Sequence, residues 1–163
     1  GIHISEGDPS YREEFIQVLR YLKSKNMKLQ IDTYGKNSVV LQQVLNEKLA
    51  DVMIMNVLGP KELYARILGQ EIDLADVENS LSIVPVQRTN GAASFLTPEE
   101  IGETARFIKE GTGSNKIRFF IKMTNPKDIN KDVFKSLEAP ADAQLFAYRT
   151  KARAYQVFAE IEK

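Results

Sequence analysis

The chain has 163 residues, 43% apolar and 27% charged, the length of one domain with enough apolar material to bury a core without staples. Lys+Arg and Asp+Glu balance at 22 each, so nothing marks a nucleic-acid or anionic-membrane partner, and no apolar run approaches the roughly 20 residues that span a bilayer. There is no cysteine, which excludes disulfides, a cysteine nucleophile, thiolate zinc and any iron–sulfur cluster held by this chain itself.

Ile2–Ser5 reads as a short strand that runs into the small acidic turn Glu6-Gly7-Asp8-Pro9. Ser10-Tyr11-Arg12-Glu13 has the form of a capping box, and the helix it opens places Tyr11, Phe15, Val18, Leu19 and Leu22 on one face. Residues 27–31 form a second strand, ending at Asp32-Thr33-Tyr34-Gly35. Asn37 or Ser38 caps the next helix, with Leu41, Val44, Leu45 and Leu49 inward. Residues 51–56 are a third strand whose continuous apolar run implies burial on both faces. Pro60 starts a helix that reaches Gly69, and a short helix follows over 73–80. The fourth strand is expected within 81–88, bent or at an edge because of Pro85, and Asn90 to Ser94 as a small-residue loop.

Thr97-Pro98-Glu99-Glu100 is a strong helix start, with Ile101, Ala105 and Ile108 buried, and 117–122 is the fifth strand. After Asn125-Pro126 the pattern changes to helices over 131–137 and 144–163, with no strand after them. The last helix carries the stripe Leu145, Tyr148, Ala152, Tyr155, Ala159, and Arg149, Lys151 and Arg153 form its wet face. Alternation through about five strands makes this an α/β protein with a parallel sheet, either a doubly wound open sheet or an incomplete (β/α) barrel. In both, ligands bind at the carboxyl ends of the strands. The single histidine, His3, rules out a multi-histidine metal site and reads as structural beside its glycine turn. No catalytic or metal-ligating residue is assigned, and with no secretory signal in view a cytoplasmic location is the expectation.

Ile4-Ser5-Glu6-Gly7-Asp8-Pro9 resembles the S-G-G-E/D-P signature of radical S-adenosylmethionine (radical SAM) enzymes. Ile31-Asp32-Thr33-Tyr34-Gly35 resembles the D-T-N-G signature at the end of the next strand in the glycyl-radical-enzyme activases, such as pyruvate formate-lyase activating enzyme. The third strand and the helix ending near Leu68-Gly69 keep the same order, so the resemblance runs over residues 1–122. It implies an incomplete, TIM-like (β/α) barrel that binds S-adenosylmethionine across its carboxyl rim. Residues 1–125 would be that SAM-binding half, and 126–163 a C-terminal helical extension packed on it. In the family a C-x-x-x-C-x-x-C loop holds a 4Fe-4S cluster. The cluster cleaves S-adenosylmethionine to a 5′-deoxyadenosyl radical, which abstracts hydrogen from a glycine of a partner protein, an oxidoreductase reaction.

Carried over by position, Glu6, Gly7, Asp8 and Pro9 would lie along the methionyl amino group, with Asp8 as acceptor. Asp32 and Thr33 would approach the methionyl and ribose region, Gly35 would permit close approach, and Asn56 stands where the family has a strand-end Asp. Arg88 and Lys122, at the ends of the fourth and fifth strands, are the candidate substrate contacts. The chain departs from the pattern in having no cysteine motif, Glu6 for the first motif Gly, Tyr34 for Asn, and no Lys in the Val57-Leu58 region. Its first strand matches the family's second. Two readings follow. One is the SAM-binding part of an activase-type radical enzyme, inactive alone and served by a cluster segment absent from this chain, with a glycyl-radical enzyme as partner. The other is a cysteine-free, non-catalytic α/β module that binds a metabolite or a protein.

Overall fold

The computed structural model describes residues 1–5, 11–69, 71–83, 88–92, 96–122 and 141–162, the stretch 88–92 by its backbone alone. Ser10 of the expected capping box and the expected helix over 131–137 lie outside these residues. The elements in order are β1 (Ile2–Ser5), α1 (Arg12–Ser24), β2 (Leu29–Thr33), α2 (Ser38–Asn46), β3 (Val52–Asn56), a 3-10 turn (Lys61–Leu63) running into α3 (Tyr64–Leu68), α4 (Leu74–Ile83), β4 (Arg88–Ala92), α5 (Pro98–Thr112), β5 (Arg118–Lys122), α6 (Asp142–Arg153) and β6 (Phe158–Glu162).

All six strands form one parallel sheet in strictly sequential order, β1 to β6. A doubly wound sheet requires the strand order to reverse at a switch point. No reversal occurs among the described strands. The described helices cover one face. Leu29 and Ile31 of β2 and Met53 of β3 pack with Ile16 and Leu19 of α1 and Val40, Leu41 and Val44 of α2. Met55 of β3, Phe119 and Ile121 of β5 and Ala159 of β6 pack with Tyr64, Val77, Leu81, Ala105, Ile108, Tyr148 and Ala152. Side chains alternate along a strand, so the residues between these face the other way. That face, open with respect to the described helices, carries His3, Gln30, Asp32, Asn56, Phe120, Lys122, Glu160 and Glu162.

Local sequence explains the starts of α2 and α5. Asn37 caps α2, its side chain accepting from Val40 N at 3.2 Å. Thr97 caps α5 with both halves of the box present: Glu100 N donates to Thr97 Oγ1 at 3.2 Å and Thr97 N donates to Glu100 Oε2 at 2.7 Å. At the amino edge of the sheet Asp51 accepts from Leu29 N (2.8 Å), Lys23 Nζ (2.8 Å) and Lys28 Nζ (3.1 Å), which ties the start of β3 to β2. These donors hold its carboxyl far below the usual carboxylate range, Lys23 contributing most. Glu47 is held down to about 2 by Arg20, which donates from Nε and Nη2, and by Gln43.

Four expectations are corrected. First, α1 buries Ile16 and Leu19 and leaves Tyr11 and Val18 64% and 51% exposed. Its apolar arc, from Val18 round to Ile16, is wider than one sheet contact can cover, and the sheet takes the Leu19–Ile16 side. The helix itself begins after Tyr11, which makes no side-chain cap bond. Second, β2 starts at Leu29, because Asn26, at φ 56, makes the preceding turn. Third, Leu81 and Ile83 end α4 rather than open a strand. Leu81 completes a helical stripe with Val77, a period that a short apolar run cannot distinguish from a strand. β4 therefore spans residues 88–92, and Asn90 to Ala92 are strand, not loop.

Fourth, the last stretch is not one continuous helix, and among the described residues the sheet has six strands, not five. α6 stops at Arg153, and the fully buried Gln156 holds the turn. Its Oε1 accepts from Ile117 N at 3.0 Å and its Nε2 donates to Ser114 O at 2.8 Å. Residues 158–162 then alternate outward and inward, with Ala159 and Ile161 facing the core, and pair with all of β5. The described part of 141–162 is thus one helix and one strand of the common sheet, not a purely helical extension.

Candidate functional site

The open face is a strip of side chains rising toward the carboxyl ends of the strands. Register sets its rows. Ser5 pairs with Asp32, Asp32 with Ile54, and Ile54 with Arg88. One row nearer the carboxyl end, Asn56 pairs with Asn90, Asn90 with Phe120, and Phe120 with Glu160. Above these, Ala92 pairs with Lys122 and Lys122 with Glu162. Polar side chains stand at both flanks of the face. Ile54 is only 8% exposed although it belongs to neither helix-side cluster, while Val52, nearer the amino end, is 36% exposed.

On the β1–β2 flank, Asp32 Oδ2 lies 3.0 Å from His3 Nε2 and Asp32 Oδ1 accepts from Gln30 Nε2 at 3.1 Å. On the β5–β6 flank, Lys122 Nζ is 3.3 Å from Glu162 Oε2, and the Arg118 guanidinium sits 5.2 Å from the centre of the Phe120 ring. One flank thus presents a carboxylate held by a histidine, the other an ammonium held by a carboxylate.

Behind the rim the turn after β2 is fixed by the helices. Tyr64, fully buried, donates its hydroxyl to Asn56 O at 3.1 Å and lies 3.4 Å from Tyr34 O, which pins the ends of β2 and β3 together. Gly35 N donates to Thr33 Oγ1 at 2.9 Å, and Ser80 Oγ of α4 donates to Gly35 O at 3.0 Å. Ser38 N donates to Asp76 Oδ1 at 3.1 Å, and the Ser38 hydroxyl bonds the same oxygen.

The candidate residues of the sequence reading separate on this frame. Asp32, Asn56 and Lys122 share the open face toward its carboxyl rim. Thr33, 1% exposed, and Gly35, also buried, turn to the helix-covered side, where Gly35 packs against Ser80. Arg88 opens β4 instead of closing a strand, because that strand starts seven residues later than the apolar run at Leu81 implies; it lies in the Asp32 row, not at the rim. Glu6, Gly7, Asp8 and Pro9 lie outside the described residues. Among the described residues no cluster of three or more His, Cys, Asp or Glu side chains can hold a metal ion, and no helix is long and apolar enough to cross a membrane.

Sequence reasoning missed His3, Gln30, Phe120 and Glu162 as members of this face. Alternation alone puts His3 with Ser5 and Gln30 with Asp32, but the His3–Asp32 contact is diagonal between strands and depends on a register that sequence does not state.

No protein-family model matches the chain, and no solved structure matches it. It is distantly homologous to a protein of Methanocaldococcus jannaschii provisionally named a glycyl-radical enzyme activating enzyme. The two are 24% identical over 165 aligned positions, which cover 94% of this chain and 67% of that protein.

Proposed function

We propose that this chain is the S-adenosylmethionine-binding part of a radical SAM enzyme of the glycyl-radical-activase kind. The observation that carries the reading is the homology, which runs through nearly the whole chain rather than through the two short motifs alone. The open, singly wound sheet supports it as an incomplete (β/α) barrel with the ligand lying over the carboxyl ends of its strands. Asp32 would accept from the ligand's ammonium or ribose hydroxyls, the Asn56 amide would serve as a neighbouring donor, and Lys122 would meet a carboxylate or phosphate of ligand or substrate. Glu6 to Pro9 would complete the methionyl side. Thr33 and Gly35 would act from beneath, by shaping the turn that carries Asp32. A glycyl-radical enzyme is the partner this reading implies.

The donor set fits S-adenosylmethionine and does not fit a 4Fe-4S cluster, because the chain has no cysteine. Thiolates for a cluster would have to come from another segment or chain, and no radical step is ascribed to these residues. What this chain contributes is binding and orientation of the ligand on one flank and of its reaction partner on the other.

Titration of the chain with S-adenosylmethionine tests the reading. Asp32→Asn should weaken binding by about 1.5–3 kcal/mol, the worth of one charge-assisted hydrogen bond, or roughly tenfold to a hundredfold. Affinity that is unchanged in Asp32→Asn would remove Asp32 from the site. The lack of any cysteine favours a second reading, a non-catalytic metabolite- or protein-binding module. It predicts no saturable binding of S-adenosylmethionine even when a cluster-bearing partner segment is supplied.

A further inference from the structure

The open face sets a histidine against the carboxylate on which the ligand reading rests. His3 Nε2 is 3.0 Å from Asp32 Oδ2 and Gln30 Nε2 is 3.1 Å from Asp32 Oδ1, so both carboxylate oxygens are engaged by side chains of the same face. The two partners are held differently. Gln30 belongs to the same strand as Asp32, two residues back, whereas His3 stands on the neighbouring strand β1, at one end of the strand order. The Asp32 side chain is 20% exposed and that of His3 58%, so the imidazole covers the carboxylate from the solvent side.

A carboxylate largely withdrawn from water requires a partner for its charge. A contact made by so exposed a side chain is weak enough to be exchanged for a better one. The other charged groups around His3 are Lys28 and Asp51, paired with each other at 3.1 Å, and the amino group of Gly1. Glu6 and Asp8, further along the chain, lie outside the described residues.

We infer that His3 is an exchangeable partner of Asp32, which covers the carboxylate until a ligand's ammonium group takes its place. The site thereby selects ligands of amino-acid type that present a cation to the β1–β2 flank. This rests on the reading of Asp32 as a ligand acceptor, and the test separates the two.

His3 is the sole histidine of the chain, so its ring resonances need no assignment strategy. The full chain is titrated at constant neutral pH with S-adenosylmethionine and, separately, with L-methionine, which carries the ammonium without the adenosyl group. Either ligand should move the His3 ring signals toward the positions they hold in ligand-free Asp32→Ala, where the imidazole has lost its partner; Asp32→Ser serves as the reference if Asp32→Ala does not fold. His3→Ala, which leaves no side chain to displace from Asp32, should bind more tightly than the native chain, by up to about fivefold. His3→Lys, which sets a permanent cation against Asp32, should bind at least about tenfold more weakly, one charged contact's worth. His3 signals that neither ligand moves, or a His3→Lys chain that binds like the native one, would overturn the inference. If L-methionine moves the ring and S-adenosylmethionine does not, the exchange stands and the S-adenosylmethionine reading alone fails.

Discussion

Gly35 offers the sharpest test of how the rim is built. It sits in the motif that resembles a ligand-binding signature, yet its surroundings are protein. Its φ is 77, and a Cβ there would overlap the Met55 methyl group and stand 3.1 Å from Ser80 Cβ. Gly113 provides the control, with φ 67 and nothing within 4 Å of its hypothetical Cβ. Gly113→Ala should therefore cost only the left-handed backbone penalty, about 1–2 kcal/mol. Gly35→Ala carries the same penalty and also overpacking of about 1–3 kcal/mol, for a total of about 2–5 kcal/mol. In urea unfolding, with a slope of about 2 kcal/mol per molar, the midpoint should fall by roughly 1–2.5 M for Gly35→Ala and by roughly 0.5–1 M for Gly113→Ala. Equal shifts would mean that the flexible end of Met55 absorbs the new methyl group and the steric argument is wrong. A Gly35→Ala chain as stable as Gly113→Ala but unable to bind ligand would return Gly35 to the ligand side.

Asp51 should shape the acid limb of stability. Its carboxyl is depressed in the folded state by Lys23, the Leu29 amide and Lys28, so its contribution is complete above an unfolded-state pKa of about 3.9 and is lost as the pH falls below it. Calorimetric melting of Asp51→Asn over a series of pH values should show a flatter decline below about pH 4 than the native chain; an identical slope would contradict the assignment. Thr97→Ala removes the α5 capping box and should cost about 1 kcal/mol, with the native fold retained by circular dichroism. A loss below about 0.3 kcal/mol would show that water replaces the cap without penalty.

What the sequence disclosed and what it hid follow from the range of the interactions involved. The α5 start was legible because Thr97, Pro98 and Glu100 satisfy one another within a single turn. β3 and β5 were legible as apolar runs between clear breaks. The C-terminal stretch was not, since Tyr155 and Ala159 fit a helical stripe as well as Ala159 and Ile161 fit a strand. The deciding contact, Gln156 with Ser114 and Ile117, spans about forty residues. Leu81 failed in the same way. The open face was half legible. The family resemblance points to Asp32 and Asn56 at the ends of their strands, whereas His3, a lone histidine beside a glycine turn, reads as structural, and its contact with Asp32 crosses a strand boundary. Which of Asp32 and Thr33 faces away from the helices is a matter of parity along β2, and parity follows only once the buried pair Leu29 and Ile31 is placed.

Met53 and Met55 stand two residues apart on the same face of β3, yet they belong to different apolar clusters. β3 is thus a seam: one core closes over β2 and its flanking helices, the other over β5, β6 and the helices beyond. Beyond that strand the described links between the two sides are few, among them the grip of α4 on the turn after β2 and on the start of α2. Loosening on the α1–α2 side would reach the α5–α6 side chiefly through a five-residue strand and one helix. The two flanks of the open face, with the Asp32 carboxylate on one and the Lys122 ammonium on the other, are therefore carried by separately packed supports, and a ligand that touched both would act as a strut between them.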